Sequence, residues 1–322
     1  MKRKLITLIG VFLAIALLLL VIPACAGPKP VNLTFMSAEP GGSWYPMAIG
    51  AAEIWQKNIT DYQLSFTHTP GGGVANAKGV NAGTAQFGVT TSVTVGQALT
   101  GSPPFEAPET NIRSLASLST QFFAITTFAE SGIKEVADLK GKGLSPTKKG
   151  WTVESLVKLL LDAAGMSYDD LSKVEFVTGM EAADLFKDGH IDAFADSYEE
   201  LGDPIAVELS LFKPIKIIPI PETLWKGMGL PGLVPYTIPA GAYRGIDQDV
   251  PTFAFTTGIV VNPDVDEDLV YQMTKALVEN WSDMGLVLES LKKVDPQTLA
   301  TKLGADFHPG ALKYYKERGW AK

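Results

Sequence analysis

The stretch SAEPGGSWYPMAIGAAEIW, residues 37–55, has the character of a strand end, a glycine loop and the first turns of a helix. Gly41 and Gly42 allow the backbone to turn tightly and to approach a bound molecule closely. Ser43 can cap the helix, and Pro46 suits its first turn. The free N–H groups at such a helix start bind anions and carboxylates.

The residue pattern of this helix predicts one buried face and one face near a ligand. Trp44 and Tyr45 flank the helix start, where their rings can form the wall of a site for an apolar ligand body. An ordinary strand-to-helix turn with interface aromatics is the alternative. Four apolar residues share the other face and can pack on a sheet: Met47, Ala51, Ile54 and Trp55.

A second strand-to-helix junction follows the first. Residues 63–67 alternate as a short strand does and lead into the glycine-rich run at 69–76. Gly72, Gly73 and Asn76 then fall at the start of the second helix. Three consecutive glycines can also form only a flexible turn.

A third junction places Thr91 and Ser92 after the predicted strand at 87–90. Their hydroxyls can cap the helix that follows. Ligands of open α/β sheets bind beyond the carboxyl ends of the strands, so these junctions predict one shared binding volume.

The second half of the chain repeats the pattern. Trp151 and Thr152 open a helix whose apolar face is predicted to be Val153, Leu156, Val157, Leu160 and Leu161. Residues 196–200 form an acidic group around Tyr198, which we expect in a loop. Such a loop at a cleft can meet a cationic ligand or a partner, or it can simply face solvent.

A chain of 322 residues is longer than one core usually serves, so we expect an α/β protein of two lobes. The apolar runs at 112–118 and 122–128 predict strands on either side of a crossing between the lobes, and 253–261 predicts the return strand. The expected lobes are residues 30–120 with 253–322, and residues 121–252.

The first 25 residues have the features of a secretory signal. Lys2, Arg3 and Lys4 precede an apolar run at residues 5–22, and Pro23-Ala24-Cys25 follows. This end resembles a bacterial lipobox, which predicts a lipid on Cys25, the only cysteine. The alternative is an uncleaved anchor, since the run is long enough to span a bilayer.

Composition and motifs favour binding over catalysis. The net charge of −8 argues against a nucleic-acid partner. The sequence contains no nucleotide-binding glycine motif, no nucleophile elbow and no HExxH, so we expect no cofactor. His68, His190 and His308 are widely separated, so we expect no metal site.

In several stretches the chain resembles the TAXI-type solute receptors of TRAP transporters. The resemblance runs through about 285 residues, essentially the whole mature chain. Its motifs are weak individually and specific together: Gly41-Gly42-Ser43-Trp44-Tyr45-Pro46, Thr69-Pro70-Gly71-Gly72, Asp138-Leu139-Lys140-Gly141-Lys142, Asp188-Gly189-His190-Ile191-Asp192-Ala193, Ile238-Pro239-Ala240-Gly241-Ala242-Tyr243 and His308-Pro309-Gly310-Ala311-Leu312-Lys313-Tyr314-Tyr315-Lys316-Glu317.

This resemblance implies a type II periplasmic-binding-protein-like fold with a ligand cleft between two lobes. It also implies an extracytoplasmic receptor that captures a small carboxylate, such as an amino acid or a dicarboxylate, and delivers it to the TRAP permease subunits. The family positions at the ligand correspond here to Gly42, Ser43, Trp44, Tyr45, Gly72, Gly73 and Asn76.

Three departures from the family pattern bear on the ligand. Gly73 stands where the family usually has a serine, Thr91-Ser92-Val93 replaces Gln-Ser-Asp, and Trp151 takes a small-residue position. These replacements remove polar side chains and add an aromatic ring, which predicts a carboxylate ligand with a sizeable apolar part. Among the arginines, Arg113 is the candidate for a bidentate clamp on that carboxylate, with a structural role as the alternative.

The competing functions are an exported enzyme, such as a hydrolase, on the same two lobes, and a ligand-sensing lipoprotein without a permease.

Overall fold

The computed structural model describes residues 27–40, 42–198 and 203–321. The strands are β1 (Lys29–Met36), β2 (Tyr62–Thr69), β3 (Phe87–Thr91), β4 (Arg113–Phe128), β5 (Gly143–Ser145), β6 (Lys173–Val174), β7 (Ala193–Tyr198), β8 (Ile215–Ile217), β9 (Val234–Ile238) and β10 (Val250–Val261). The α-helices are α1 (Trp44–Asn58), α2 (Gly73–Asn81), α3 (Ser92–Thr100), α4 (Thr152–Ala163), α5 (Gly179–Lys187), α6 (Pro204–Phe212), α7 (Glu222–Gly227), α8 (Glu267–Glu279), α9 (Trp281–Val287) and α10 (Pro309–Glu317).

Two long strands run through both lobes. The strand order is β2-β1-β3-β10-β4-β7-β5-β6, with β8 paired to β4 and β9 paired to β10. Strands β4 and β10 are antiparallel, with a register from Val261 opposite Arg113 to Ala254 opposite Phe122. The two apolar runs expected as separate strands are therefore one continuous strand, β4. The two-lobed α/β fold is confirmed, and the residue boundaries given for the lobes stay a prediction.

The core of the first lobe is built around helix α1. Its predicted apolar face is buried at Met47, Ala51, Ile54 and Trp55. The indole Nε1 of Trp55 donates to the carbonyl of Met273 at 2.9 Å, which ties α1 to α8. This hydrogen bond satisfies the one polar group that burial of the ring would otherwise leave unpaired.

The core of the second lobe is built around helix α4. All five apolar residues predicted for its face, from Val153 to Leu161, are buried. They pack with Leu144, Ala193 and Phe253 on one side of the sheet. Helices α5 and α6 cover the other side, where Phe186 and Phe194 lie in the same cluster.

Two segments differ from the sequence prediction. Asp196, Ser197 and Tyr198 belong to strand β7 and not to a loop, because they pair with residues 122–124 of β4. The run at 221–239, expected to be irregular, contains α7 and β9, and β9 is held by pairing with β10. The partner of β7 comes from a distant part of the chain, whereas β9 pairs with the next strand along the chain.

Candidate functional site

A cavity of about 250 Å³ lies in the cleft between the lobes. Residues of the first lobe, of the second lobe and of the crossing strand β4, through Gln121, line it together. Its position is the one expected from the carboxyl ends of the strands.

The starts of five helices converge on this cavity. The residues that contribute from them are Ser43 and Trp44 of α1, Gly72 and Gly73 of α2, Trp151 and Thr152 of α4, Thr178 and Gly179 of α5, and Asp203 and Ile205 of α6. The N-terminal ends of helices carry free N–H groups and partial positive charge. The backbone around the cavity therefore favours a negatively charged group on a ligand.

The two lobes touch directly beside the cavity. The Oγ1 atoms of Thr94 and Thr152 are 3.0 Å apart. A side chain added at Gly72 would collide with the ring of Trp151, and one added at Gly73 would collide with Thr152. Glycine at these two positions therefore lets helix α2 approach helix α4 closely.

An ion pair joins the lobes at the rim of the cavity. Lys148 Nζ lies 2.6 Å from Glu39 Oε1, and both side chains are partly exposed. The same ammonium lies 5.9 Å from the centroid of the Trp151 ring. A partly exposed pair contributes little energy, so its main effect is to orient these side chains at the rim.

Two carboxyl groups of the second lobe line the cavity. Asp196 Oδ1 accepts the N–H of Ser197 at 2.8 Å. Asp203 Oδ1 caps α6 by accepting the N–H groups of Ile205 and Ala206 at 2.9 and 3.4 Å.

Their surroundings disfavour ionisation. Burial raises the pKa of Asp196 to about 7, and the charge of Asp203 adds to this rise, although the N–H of Ser197 acts against it. Burial also raises the pKa of Asp203.

Most of the residues expected at the ligand line the cavity. They are Gly42, Ser43, Trp44, Gly72, Gly73, Trp151 and Thr152. The hydroxyl of Ser43 makes no capping hydrogen bond, because Ser43 itself has helical backbone angles, φ −62° and ψ −29°. Its side chain is therefore not used by the helix.

Four other expected residues do not line the cavity. Tyr45 is partly buried beside it. Asn76 is fully buried, and its Nδ2 donates to the carbonyls of Ser37 and Val89 at 2.8 and 2.7 Å. Asn76 therefore joins α2 to the sheet.

Thr91 and Ser92 are also used by the fold. Thr91 Oγ1 caps α3 by accepting the N–H of Thr94 at 3.2 Å. Ser92 Oγ accepts the N–H of Thr256 at 3.2 Å, which ties α3 to β10. The Thr91 cap agrees with the sequence prediction, whereas the partner of Ser92 lies on a distant strand that the sequence alone could not identify.

The proposed arginine clamp is not at the cavity. Arg113 Nη1 donates to the carbonyls of Thr110 and Ile112 at 3.0 and 2.9 Å, at the outer end of β4. Among the residues that the structure describes, the cavity lining contains no arginine, lysine or histidine.

Sequence analysis missed most of the cavity wall from the second lobe. Thr178 and Glu181 form a capping box in which Thr178 Oγ1 accepts the N–H of Glu181 at 3.3 Å. That Thr-x-x-Glu pattern was a signal for one more helix start. Asp203 before Pro204 was a similar signal, whereas nothing local identified Gln121.

Known proteins share this fold. PhnD1 from Prochlorococcus marinus, solved in complex with methylphosphonate, superposes with a TM-score of 0.54 at 11% identity, covering 82% of this chain and 90% of that chain. XAC2383 from Xanthomonas citri, solved with bound ATP, superposes with a TM-score of 0.52 at 12% identity, covering 91% of this chain and 100% of that chain. At these identities the likeness concerns the fold alone.

A relative in sequence is a Brucella abortus protein that is named as a binding protein. It is 26% identical over 230 residues, which are 68% of this chain and 65% of that protein. The match thus spans slightly less than two thirds of the relative. The profile of one family matches residues 35–319, almost all of the described chain. The chain therefore belongs to the NMT1-like family.

Proposed function

We propose that this protein is an extracytoplasmic solute receptor that captures a small organic acid and delivers it to a membrane permease. The observation that carries the proposal is the cavity between the lobes, on which helix starts of both lobes converge. The binding-protein name of the Brucella relative supports a receptor over an enzyme. The resemblance to TAXI receptors in the motifs quoted above supports a TRAP-type permease as the partner.

The carboxylate of the solute would lie at the helix starts of the first lobe, near the hydroxyl of Ser43. The rings of Trp44 and Trp151, which line the cavity, would contact its apolar part. Both rings contribute large apolar surface, so a solute with an aromatic or branched chain fits better than a small dicarboxylate.

The Trp151→Ala variant tests this assignment. Removing the ring should weaken binding of the apolar acid by ~1–3 kcal/mol, since that surface would no longer be buried. Isothermal titration calorimetry with glutamate, dicarboxylates, branched-chain acids and aromatic acids gives the measurement. Trp320→Ala, outside the cavity lining, is the matched control. Tight binding of glutamate or a small dicarboxylate, unaffected by Trp151→Ala, would show that the pocket is polar.

We further propose that a lipid on Cys25 holds the receptor at the outer face of a membrane. Cys25 lies outside the described residues, and no helix within them is long and apolar enough to cross a bilayer. The wild type in the membrane fraction should have the mass of a chain that begins at Cys25 and carries a lipid, as mass spectrometry measures. If the wild type has its unprocessed mass instead, an uncleaved helix is the anchor.

One observation favours an enzyme as the second candidate. The pKa of Asp196 is raised to about 7, and such carboxyl groups serve as general acids or bases in catalytic sites. Incubating the purified protein with each compound that binds, followed by mass spectrometry, distinguishes the two functions. A receptor returns the compound unchanged, and an enzyme forms a product.

A further inference from the structure

We propose that the bound solute carries a protonated nitrogen as well as a carboxylate, and that Asp196, with Asp203 beside it, selects this nitrogen. The inference rests on the proposed receptor function and names a recognition element within the same cavity.

The first observation is the balance of charge in the cavity wall. Among the described residues, the lining contains three acidic side chains, Glu39, Asp196 and Asp203, and no basic side chain. Glu39 is neutralised at the rim by Lys148. Among the described residues, Asp196 and Asp203 have no cationic partner within ion-pair distance. A purely anionic solute would meet two carboxyl groups that no described cation neutralises.

The second observation is the placement of Asp196. It lies on β7, whose pairing with β4 fixes its backbone. A side chain added at Gly179 would collide with Asp196 Oδ2, so the first residue of α5 packs closely against this oxygen. Among the residues that the structure describes, Oδ1 accepts only the N–H of Ser197. The carboxyl group is therefore held in place with acceptor capacity left for a ligand.

The third observation is that a titratable neighbour of Asp196 in the same wall is uncharged. Tyr198 lines the cavity and is only 1% exposed. Its hydroxyl lies near Thr126 but makes no hydrogen bond of normal geometry with a described residue. Burial raises the pKa of this phenol well above its usual value, so Tyr198 stays uncharged and offers Asp196 no counter-charge.

The high pKa of Asp196 agrees with this assignment. Burial leaves the carboxylate with little solvation, and a protonated nitrogen would supply the missing counter-charge. The helix starts of the first lobe would hold the carboxylate of the same solute. The two lobes would thus read opposite charges, and a solute that bridges them would hold the cleft closed.

The test compares compounds that differ only in the amino group. L-Leucine is matched with 4-methylpentanoate, L-phenylalanine with 3-phenylpropanoate, and 3-methylbutylamine represents the amine alone. Calorimetric titration at pH 8 keeps Asp196 ionised. We expect at least one amino-bearing compound to bind about tenfold or more tightly than its deaminated partner, the usual effect of a charged hydrogen bond.

Two variants assign the effect to Asp196. Asp196→Asn keeps the shape and the acceptor for Ser197 but removes the charge, so the preference for the amino compound should fall to about onefold. Asp162→Asn removes an exposed carboxylate at the far end of α4 and should leave the preference unchanged.

Three results would overturn the inference: deaminated acids bind as tightly as their amino partners, no amino-bearing compound binds, or Asp196→Asn keeps the preference. Binding of deaminated acids alone would leave the receptor function standing. If no compound of either class binds and nothing co-purifies with the protein, the receptor function fails as well.

Discussion

The Gly72→Ala variant should hold the lobes apart and weaken solute binding by about 5- to 150-fold, the equivalent of the ~1–3 kcal/mol that overpacking usually costs. The added methyl group would collide with the ring of Trp151 in the other lobe. Gly72 has φ −155° and ψ 172°, extended angles that alanine also adopts, so the backbone itself is not strained. Opening of the cleft relieves the collision without unfolding either lobe.

Small-angle scattering and calorimetry measure the two effects. Wild-type protein should become more compact with saturating solute, since a solute that binds the closed state shifts the population toward it. Gly72→Ala should remain expanded. Adding Trp151→Ala to Gly72→Ala should restore compaction, because the collision partner is gone.

Gly71→Ala is the control that separates a collision within one lobe from a collision between the lobes. A side chain at Gly71 would collide with Asn76, which lies in the same lobe. This variant should therefore lower the melting temperature without changing the radius of gyration. If Gly72→Ala instead lowers the melting temperature and leaves compaction intact, the contact with Trp151 does not limit closure.

The Asp196→Asn variant should be more stable than the wild type at pH 8 by ~1–3 kcal/mol in the absence of solute. The pKa of Asp196 is raised from 3.8 to about 7 in the folded protein, mainly by burial. The folded state therefore holds this proton more tightly than the unfolded state. The resulting stability is complete below about pH 4 and is lost as the pH rises through about 7. The expected gain in stability is smaller than the full pKa shift would give, because Asp196 is partly accessible to solvent through the cavity.

Denaturation with urea at pH 5 and pH 8 measures this effect. The wild type should lose more stability between the two pH values than Asp196→Asn. Asp203 shifts in the same direction and will leave some pH dependence in the variant. Tyr198, which faces Asp196, has a pKa well above this range and stays protonated. Equal pH dependence in wild type and variant would mean that Asp196 is solvated when the site is empty.

These two predictions concern residues that sequence analysis treated differently. Gly72 was identified because glycine before a helix start has a local meaning that does not depend on the rest of the chain. Asp196 was noticed as part of an acidic group but was expected in a loop. In the structure it lies in strand β7, because β4 supplies its pairing partner from more than seventy residues earlier in the chain.

The sequence by itself determined the local elements. Apolar periodicity identified the buried faces of α1 and α4, and glycine and proline marked their starts, since these signals lie within a few residues of one another. The repeated strand-to-helix junctions also predicted the α/β class and the side of the sheet on which the cavity lies.

Only the tertiary structure decided which side chains reach the cavity. Asn76 and Ser92 stand at helix starts as expected, yet their polar atoms bond to backbone groups of the fold. Asp196 and Asp203 reach the cavity because β7 pairs with β4 and because α6 packs beside it. The direction of a polar side chain depends on which partner offers the better hydrogen bond, and those partners come together only when distant strands pair and the two lobes meet.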